Sequence, residues 1–145
     1  MSRGSIDVAN ALAAGARASG VVLVSGAYDK VRASLGAPSR LPATLVVHHR
    51  DDGCQATPPA AVSSFVAWSG GRASARWIDN RGTPAPTPCG PRGAHGFFMQ
   101  DGAAVSAING FIAARSRAGA TLTRVPRDDP AEIAKNQLFQ KLCFR

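Results

Sequence analysis

The sequence has few acidic residues, few aromatic residues and no long apolar stretch. Its 145 residues include nine Asp and Glu, of which only Glu132 is a glutamate, and aromatic residues make up 6%. The longest unbroken apolar runs, such as 21–24, are far shorter than the roughly 20 residues of a membrane-spanning helix. We therefore predict no membrane association.

Cysteine is also scarce, with only Cys54, Cys89 and Cys143 in the chain. Three cysteines are too few for a disulfide-built miniprotein, and their spacing is not that of metal ligands. We therefore predict no metal site, and one cysteine pair with one residue left over.

The charge is strongly basic, at +8, and fourteen of the seventeen cationic residues are arginine. A basic excess is typical of proteins that bind nucleic acid, but there the cations gather in a patch or stripe. The arginines here are scattered along the chain, so we predict no nucleic-acid partner. The 45% hydrophobic content and the length predict one folded domain.

The first 24 residues weakly resemble a signal peptide. Asp7 near the front and Arg17 within the apolar part argue against this interpretation, so we predict no signal peptide in the chain.

Hydrophobic periodicity predicts helices and buried strands in alternation. Apolar residues at three- and four-residue steps predict a helix over 4–19, ended by Gly20. Unalternating apolar runs at 21–24 and 44–48 are typical of strands with both faces covered, and a short third strand is predicted at 76–78.

Two more helices complete this pattern. Thr57 followed by two prolines predicts a helix start, with Ala61, Val62, Phe65, Val66 and Trp68 facing inward. A last core helix is predicted over 102–115, with Val105, Ile108 and Ile112 on its inner side. Residues 27–42 look irregular, although a helix fits the alternation there, and the Pro- and Gly-rich stretch 79–94 is predicted to be a long loop.

This order predicts an α/β fold with a parallel sheet of about three strands and flanking helices. The domain is predicted to cover 1–116. Residues 117–145 are polar and fall outside the alternation, so we predict an appended basic tail with a short helix from Ala131 to Leu142.

Three side chains with catalytic potential follow one another along the chain. Ser2 directly precedes a predicted helix, Asp52 follows the strand that ends at His48, and His95 ends the long loop. Serine, acid and histidine in this order are typical of the α/β-hydrolases. Asp51 is the nearest rival to Asp52.

The motifs around these residues resemble those of the α/β-hydrolase family. LVVHHRDDGCQATPPA is similar to its strand and acid turn, GAHGFF to its histidine motif, and SRGS to the second half of its nucleophile elbow. The resemblance runs from Met1 to about Arg115 and is nearest to small esterase- or dienelactone-hydrolase-like members. It implies a partial α/β-hydrolase fold that begins at the elbow.

The resemblance implies a serine hydrolase acting on a small ester-like substrate without a cofactor. Ser2 would attack the carbonyl, His95 would act as base, and Asp52 would orient the ring. The backbone amide of Arg3, at a helix N-terminus, would stabilise the oxyanion. Small residues beside the serine, such as Gly4, are expected because the turn is sharp.

The resemblance also implies that the acid loop and the histidine loop converge. A disulfide between Cys54 and Cys89 would then join them, leaving Cys143 free. Such a bond implies an oxidising compartment, periplasmic or extracellular, for a full-length parent.

The resemblance also implies that the chain is truncated, without the strands that precede the elbow in this family. The three remaining strands would expose a sheet edge and an uncovered apolar face. The alternative to an enzyme is therefore a non-catalytic hydrolase fragment that pairs with a second copy or with a separate N-terminal half. His48 and His49 are expected to end a strand on opposite faces rather than to bind a metal.

Overall fold

A computed structural model describes residues 2–79 and 86–123, with only the backbone for 119–123. The helices are α1 (Gly4–Ala13), α2 (Tyr28–Leu35), α3 (Ala60–Trp68) and α4 (Asp101–Thr123), and the strands are β1 (Val21–Val24), β2 (Thr44–His49) and β3 (Ala73–Ile78). Short 3-10 turns span Pro38–Arg40 and Ala94–Gly96. The chain divides into two compact units, Met1–Arg115 and Ser116–Arg145, and the site described below lies in the first.

The three strands form one parallel sheet in the order β1-β2-β3. Val21 pairs with Thr44, and Thr44 pairs in turn with Ala73. Because each strand is joined to the next by a segment that contains a helix, all three carboxyl ends lie at the same edge of the sheet. The α/β layout with a three-stranded parallel sheet is therefore confirmed.

Apolar side chains cover both faces of the sheet at β1 and β2, which explains the lack of alternation there, whereas residues 74–76 of β3 are exposed. Every residue of β2 is buried. One cluster joins the sheet to α1, α2 and α3 and comprises Ala9, Val21, Leu23, Tyr28, Val31, Leu35, Leu41, Val46, Ala61, Val62, Phe65 and Ala73. The other joins the opposite face to α4 and comprises Leu45, Val47, Ile78, Phe97 and Ala104, with Val22, Val24, Ala107, Ile108 and Phe111 packed against it.

The segment 27–42, which looked irregular, contains a helix. Tyr28, Val31 and Leu35 lie on one face of α2 and are all buried. An eight-residue helix is marginal by itself, so packing of this face against the core supplies its stability. Gly36, with φ +71°, ends the helix.

Three element bounds differ from the predicted ones by more than two residues. Helix α1 ends at Ala13, because Gly15, with φ +99°, forms a Schellman motif in which the amides of Gly15 and Ala16 donate to the carbonyls of Leu12 and Ala11. Strand β3 begins earlier, at Ala73, and α4 continues beyond residue 115 to Thr123.

The predicted inner face of the last helix is wrong in part. Val105 and Ile112 are each 52% exposed, whereas Ala104 and Phe111 pack against the sheet together with Ile108. The side of α4 that faces the sheet therefore combines the small Ala104 and Ala107 with Ile108 and Phe111.

Among the residues that the structure describes, no helix is both long and apolar enough to span a membrane. Residues 80–85 of the predicted loop, the predicted helix from Ala131 to Leu142 and Cys143 lie outside the described residues.

Candidate active site

The carboxyl edge of the sheet brings together the segments that carry the predicted site residues. Ser25 and Gly26 directly follow β1, and Asp52 follows β2. Ser2 forms an isolated parallel bridge with Gly26, so it lies beside the end of β1. His95 lies in the 3-10 turn Ala94–Gly96 and contacts Asp52.

Ser2 adopts a backbone conformation that non-glycine residues rarely occupy, with φ +50°. Its amide donates to the carbonyls of Val24 (3.0 Å) and Ser25 (3.1 Å), and its carbonyl accepts from the amide of Ser5 (3.0 Å). The Ser5 hydroxyl donates to the same carbonyl at 2.6 Å. These bonds hold the strained turn in place immediately before α1. Strain that the surrounding contacts maintain is often found at functional sites.

Arg3 is the N-cap residue of α1, so its amide lies at the N-terminal end of the helix as predicted, while its side chain is exposed. A small residue was expected at Gly4 because the turn is sharp, and this reason is wrong. A Cβ atom added at Gly4 would meet no atom within 4 Å, and its φ is not positive. Within the described residues, the turn therefore leaves space for a side chain at this position.

Asp52 and His95 form a buried pair, with His95 Nδ1 3.0 Å from Asp52 Oδ2 and 3.2 Å from Oδ1. The two residues are 5% and 4% exposed, whereas the neighbouring Asp51 is exposed. If Nδ1 carries the proton that this contact requires, Nε2 of the neutral ring is left as the basic nitrogen. Of the two adjacent acids, Asp52 is therefore the one that contacts the histidine.

Asp52 accepts further hydrogen bonds from its own loop. The amide of Cys54 donates to Oδ1 at 2.9 Å, and the Thr57 hydroxyl donates to Oδ2 at 3.2 Å. The Thr57 Oγ1 also lies 3.1 Å from His95 Nδ1. Thr57 is thus part of the site rather than the N-cap of α3, where Pro59 occupies the cap position and no side chain bonds to it.

A second histidine approaches the same carboxylate from β2. The fully buried His48 places Nε2 3.3 Å from Asp52 Oδ2. Among the described residues Nε2 has no hydrogen-bond partner, so this is a close electrostatic contact rather than a well-directed bond. At its other nitrogen, Nδ1, His48 lies 2.9 Å from the hydroxyl of Tyr28.

These contacts determine the ionisation of Asp52. Burial by itself would raise the pKa of the Asp52 carboxyl, but interactions with His48, the Cys54 amide and His95 outweigh it and leave the pKa below its ordinary value. The carboxylate is therefore charged at neutral pH. Burial likewise raises the pKa of the Tyr28 hydroxyl, which keeps its proton.

The predicted disulfide between Cys54 and Cys89 is present, with the Cα atoms 4.6 Å apart. It joins the loop that carries Asp52 to the segment that leads to His95. The glycine after the histidine has a steric reason, because a Cβ atom at Gly96 would collide with the backbone of Pro91. The close approach of these two backbones shapes the turn that presents His95.

Ser25 links the segments of Ser2 and His95. Its carbonyl accepts from the amide of Ser2 (3.1 Å), and its fully buried hydroxyl donates to the carbonyl of His95 (2.9 Å). Through Ser25, the turns that hold the predicted nucleophile and the predicted base are bonded to the same residue at the end of β1.

Four residues of this site were not predicted from the sequence, namely Ser25, Tyr28, His48 and Thr57. Their contacts with other site residues span from 4 to 70 positions, so no local sequence pattern indicates them. The one available signal was the unusual presence of a histidine in a buried apolar strand.

The described ranges, 2–79 and 86–123, contain no group of three or more His, Cys, Asp or Glu that could hold a metal ion.

Comparisons of the chain with protein-family models, with curated proteins and with solved structures find no match.

Proposed function

We propose that the chain is a serine hydrolase of the α/β-hydrolase type that acts on an ester-like carbonyl. The observation that carries the proposal is the buried contact between Asp52 and His95 Nδ1 at 3.0 Å, beside the strained turn of Ser2. A buried carboxylate on one imidazole nitrogen leaves the other nitrogen basic, which is what activation of a serine hydroxyl requires.

In the proposed reaction, His95 Nε2 takes the proton of the Ser2 hydroxyl as its oxygen attacks the carbonyl carbon. The oxyanion of the tetrahedral intermediate is stabilised by the Arg3 amide at the N-terminus of α1. The imidazolium then protonates the leaving alcohol as the ester bond breaks. Water, deprotonated by His95, cleaves the acyl-enzyme and regenerates the Ser2 hydroxyl. Asp52 stays ionised throughout.

A fluorophosphonate probe tests this proposal, because it reacts with activated serines. We expect one label on Ser2, lost in Ser2→Ala and retained in Ser39→Ala, which removes an exposed serine elsewhere. Labelling that persists in Ser2→Ala, or a folded chain that takes up no label, would contradict the assignment.

The alternative is a non-catalytic domain that pairs along its sheet edge. One observation favours it, since β1 is the terminal strand of the sheet and Val22 and Val24 are only half-buried. A dimer in light scattering, together with the absence of fluorophosphonate labelling, would favour this function over the hydrolase.

A further inference from the structure

A line of buried polar groups leads from the end of β1 to the carboxylate of Asp52. The amide of Gly26 donates to the hydroxyl oxygen of Tyr28 at 3.2 Å, and this hydroxyl lies 2.9 Å from Nδ1 of His48. His48 Nε2 in turn lies 3.3 Å from Asp52 Oδ2. Tyr28 is 1% exposed and His48 is fully buried.

These contacts determine which of the two ring nitrogens of His48 carries the proton. The Tyr28 oxygen already accepts from the amide of Gly26, so its own proton is available for Nδ1 of His48. A neutral imidazole that accepts at Nδ1 holds its proton on Nε2. The opposite tautomer would turn the Nε2 lone pair towards a carboxylate at 3.3 Å, which is electrostatically unfavourable in a buried site.

We propose that His48 is a positioning residue of the site: a neutral imidazole that Tyr28 fixes as the Nε2–H tautomer, and that holds the Asp52 carboxylate in place for His95. The inference rests on the proposed function, in which His95 acts as the base.

The surroundings of Asp52 explain why this contact matters. The Thr57 hydroxyl and His95 Nδ1 both lie against Oδ2, and the Cys54 amide lies against Oδ1. His48 is the only one of these partners that comes from the sheet itself, whereas the others belong to loops or to a turn. A partner on a rigid strand limits rotation of the carboxylate better than partners on loops do.

The groups that face His48 come from three elements. Helix α2 contributes Tyr28, strand β3 contributes the ring of Trp77, whose centroid is 5.9 Å from that of His48, and the loop after β2 contributes Asp52. Asp52 is therefore the anionic partner of the ring among the contacts described here.

The proton position can be measured directly on the full chain, without any assay of activity. Long-range ¹H–¹⁵N correlation spectra distinguish the two neutral tautomers and the imidazolium. We expect the His48 ring to be the neutral Nε2–H tautomer at pH 7 and to lose this preference in Tyr28→Phe. An Nδ1–H tautomer or an imidazolium in the unmodified protein would overturn the inference.

Two substitutions test the contacts of His48 Nδ1 and Nε2 separately. In His48→Asn the amide oxygen can still accept from Tyr28, but the N–H group that faces Asp52 is lost. In His48→Gln the amide group reaches the position of Nε2 and can again place an N–H group against Asp52. The matched control is His49→Asn, which keeps the acceptor for the amide of Asp51 and removes a buried Nε2 that has no hydrogen-bond partner among the described residues.

With p-nitrophenyl acetate as substrate, we expect His48→Asn to lower kcat about tenfold, because the electrostatic contact that holds the Asp52 carboxylate is lost, with KM within about twofold. His48→Gln should recover most of kcat, and His49→Asn should leave it unchanged. Equal losses in both His48 variants, or in His48→Asn and His49→Asn, would refute the positioning role.

Failure of the proposed function would look different. If the unmodified chain neither hydrolyses the ester nor reacts with a fluorophosphonate, the hydrolase assignment falls. The tautomer measurement then still decides whether His48 is fixed as proposed. The same measurement on the unmodified chain tests the tautomer of His48 even if a His48 variant does not fold.

Discussion

Asp51 and Asp52 are adjacent acids that differ in burial, so substitutions at the two positions form a matched pair. Asp52 is buried against His95, whereas Asp51 is exposed. Asp52→Asn turns an amide towards Nδ1 of His95 and favours the wrong tautomer, so we expect kcat/KM for p-nitrophenyl acetate to fall at least about a hundredfold. Asp51→Asn should change kcat/KM less than about twofold. Similar losses in both variants would contradict the role of Asp52.

The lowered pKa of Asp52 predicts how stability depends on pH. Between the folded pKa and the ordinary value of about 3.9, the unfolded chain binds a proton that the folded chain does not. The stabilisation from the charged carboxylate is therefore complete above about pH 4 to 5 and is lost as the pH falls through the folded pKa.

Urea unfolding between about pH 2.5 and 6 measures this effect. We expect the free energy of unfolding to fall more steeply below about pH 4 in the unmodified protein than in Asp52→Asn. Identical slopes in the two proteins would show that Asp52 has an ordinary pKa in the folded state.

The loops after β2 and before α4 are joined by the Cys54–Cys89 disulfide, which closes a segment with a sequence separation of 35. The chain-entropy account gives a bond of this span a stabilisation of roughly 3–4 kcal/mol. We therefore expect Cys54→Ala combined with Cys89→Ala to lower the free energy of unfolding by about that amount. Fluorophosphonate labelling should also weaken, because His95 is no longer tied to the acid loop.

Urea denaturation and mass spectrometry of the labelled chain measure the two effects. Cys143→Ala is the control and should change neither, since the disulfide uses the other two cysteines. Full labelling of the double variant would mean that the hydrogen bonds of Asp52 hold the two loops together without the disulfide.

Across the whole of the first unit, Met1–Arg115, one sheet with two covered faces explains the position of the site. Helices α1, α2 and α3 pack on one face, and α4 packs on the other. The interiors of β1 and β2 are thereby filled mainly with apolar side chains, and the polar residues of the site lie where the strands end. Ligand sites of open α/β sheets lie at this carboxyl edge.

Several features followed from the sequence, because each depends on neighbours along the chain. The unbroken apolar runs at 21–24 and 44–48 predict strands buried on both faces, and their alternation with helices predicts a parallel sheet. The contact between Asp52 and His95 and the disulfide join distant residues, and they were expected only because their motifs resemble those of a known family.

Other features depended on contacts between distant segments. Helix α2 is stabilised by the packing of Tyr28, Val31 and Leu35, and the inner face of α4 depends on which of its side chains meet the opposite face of the sheet. Thr57 resembled a helix cap because a threonine before prolines usually is one. In the folded chain its hydroxyl bonds to Asp52 instead.

Local pattern was thus sufficient for the type and order of the elements, since hydrophobic periodicity and turn residues act over a few positions. The other contacts of the Asp52 carboxylate were decided only by the fold. His48 and Thr57, and the Tyr28 hydroxyl that contacts His48, belong to a strand, a loop and a helix, and only the packing of these elements brings them together around the buried charge.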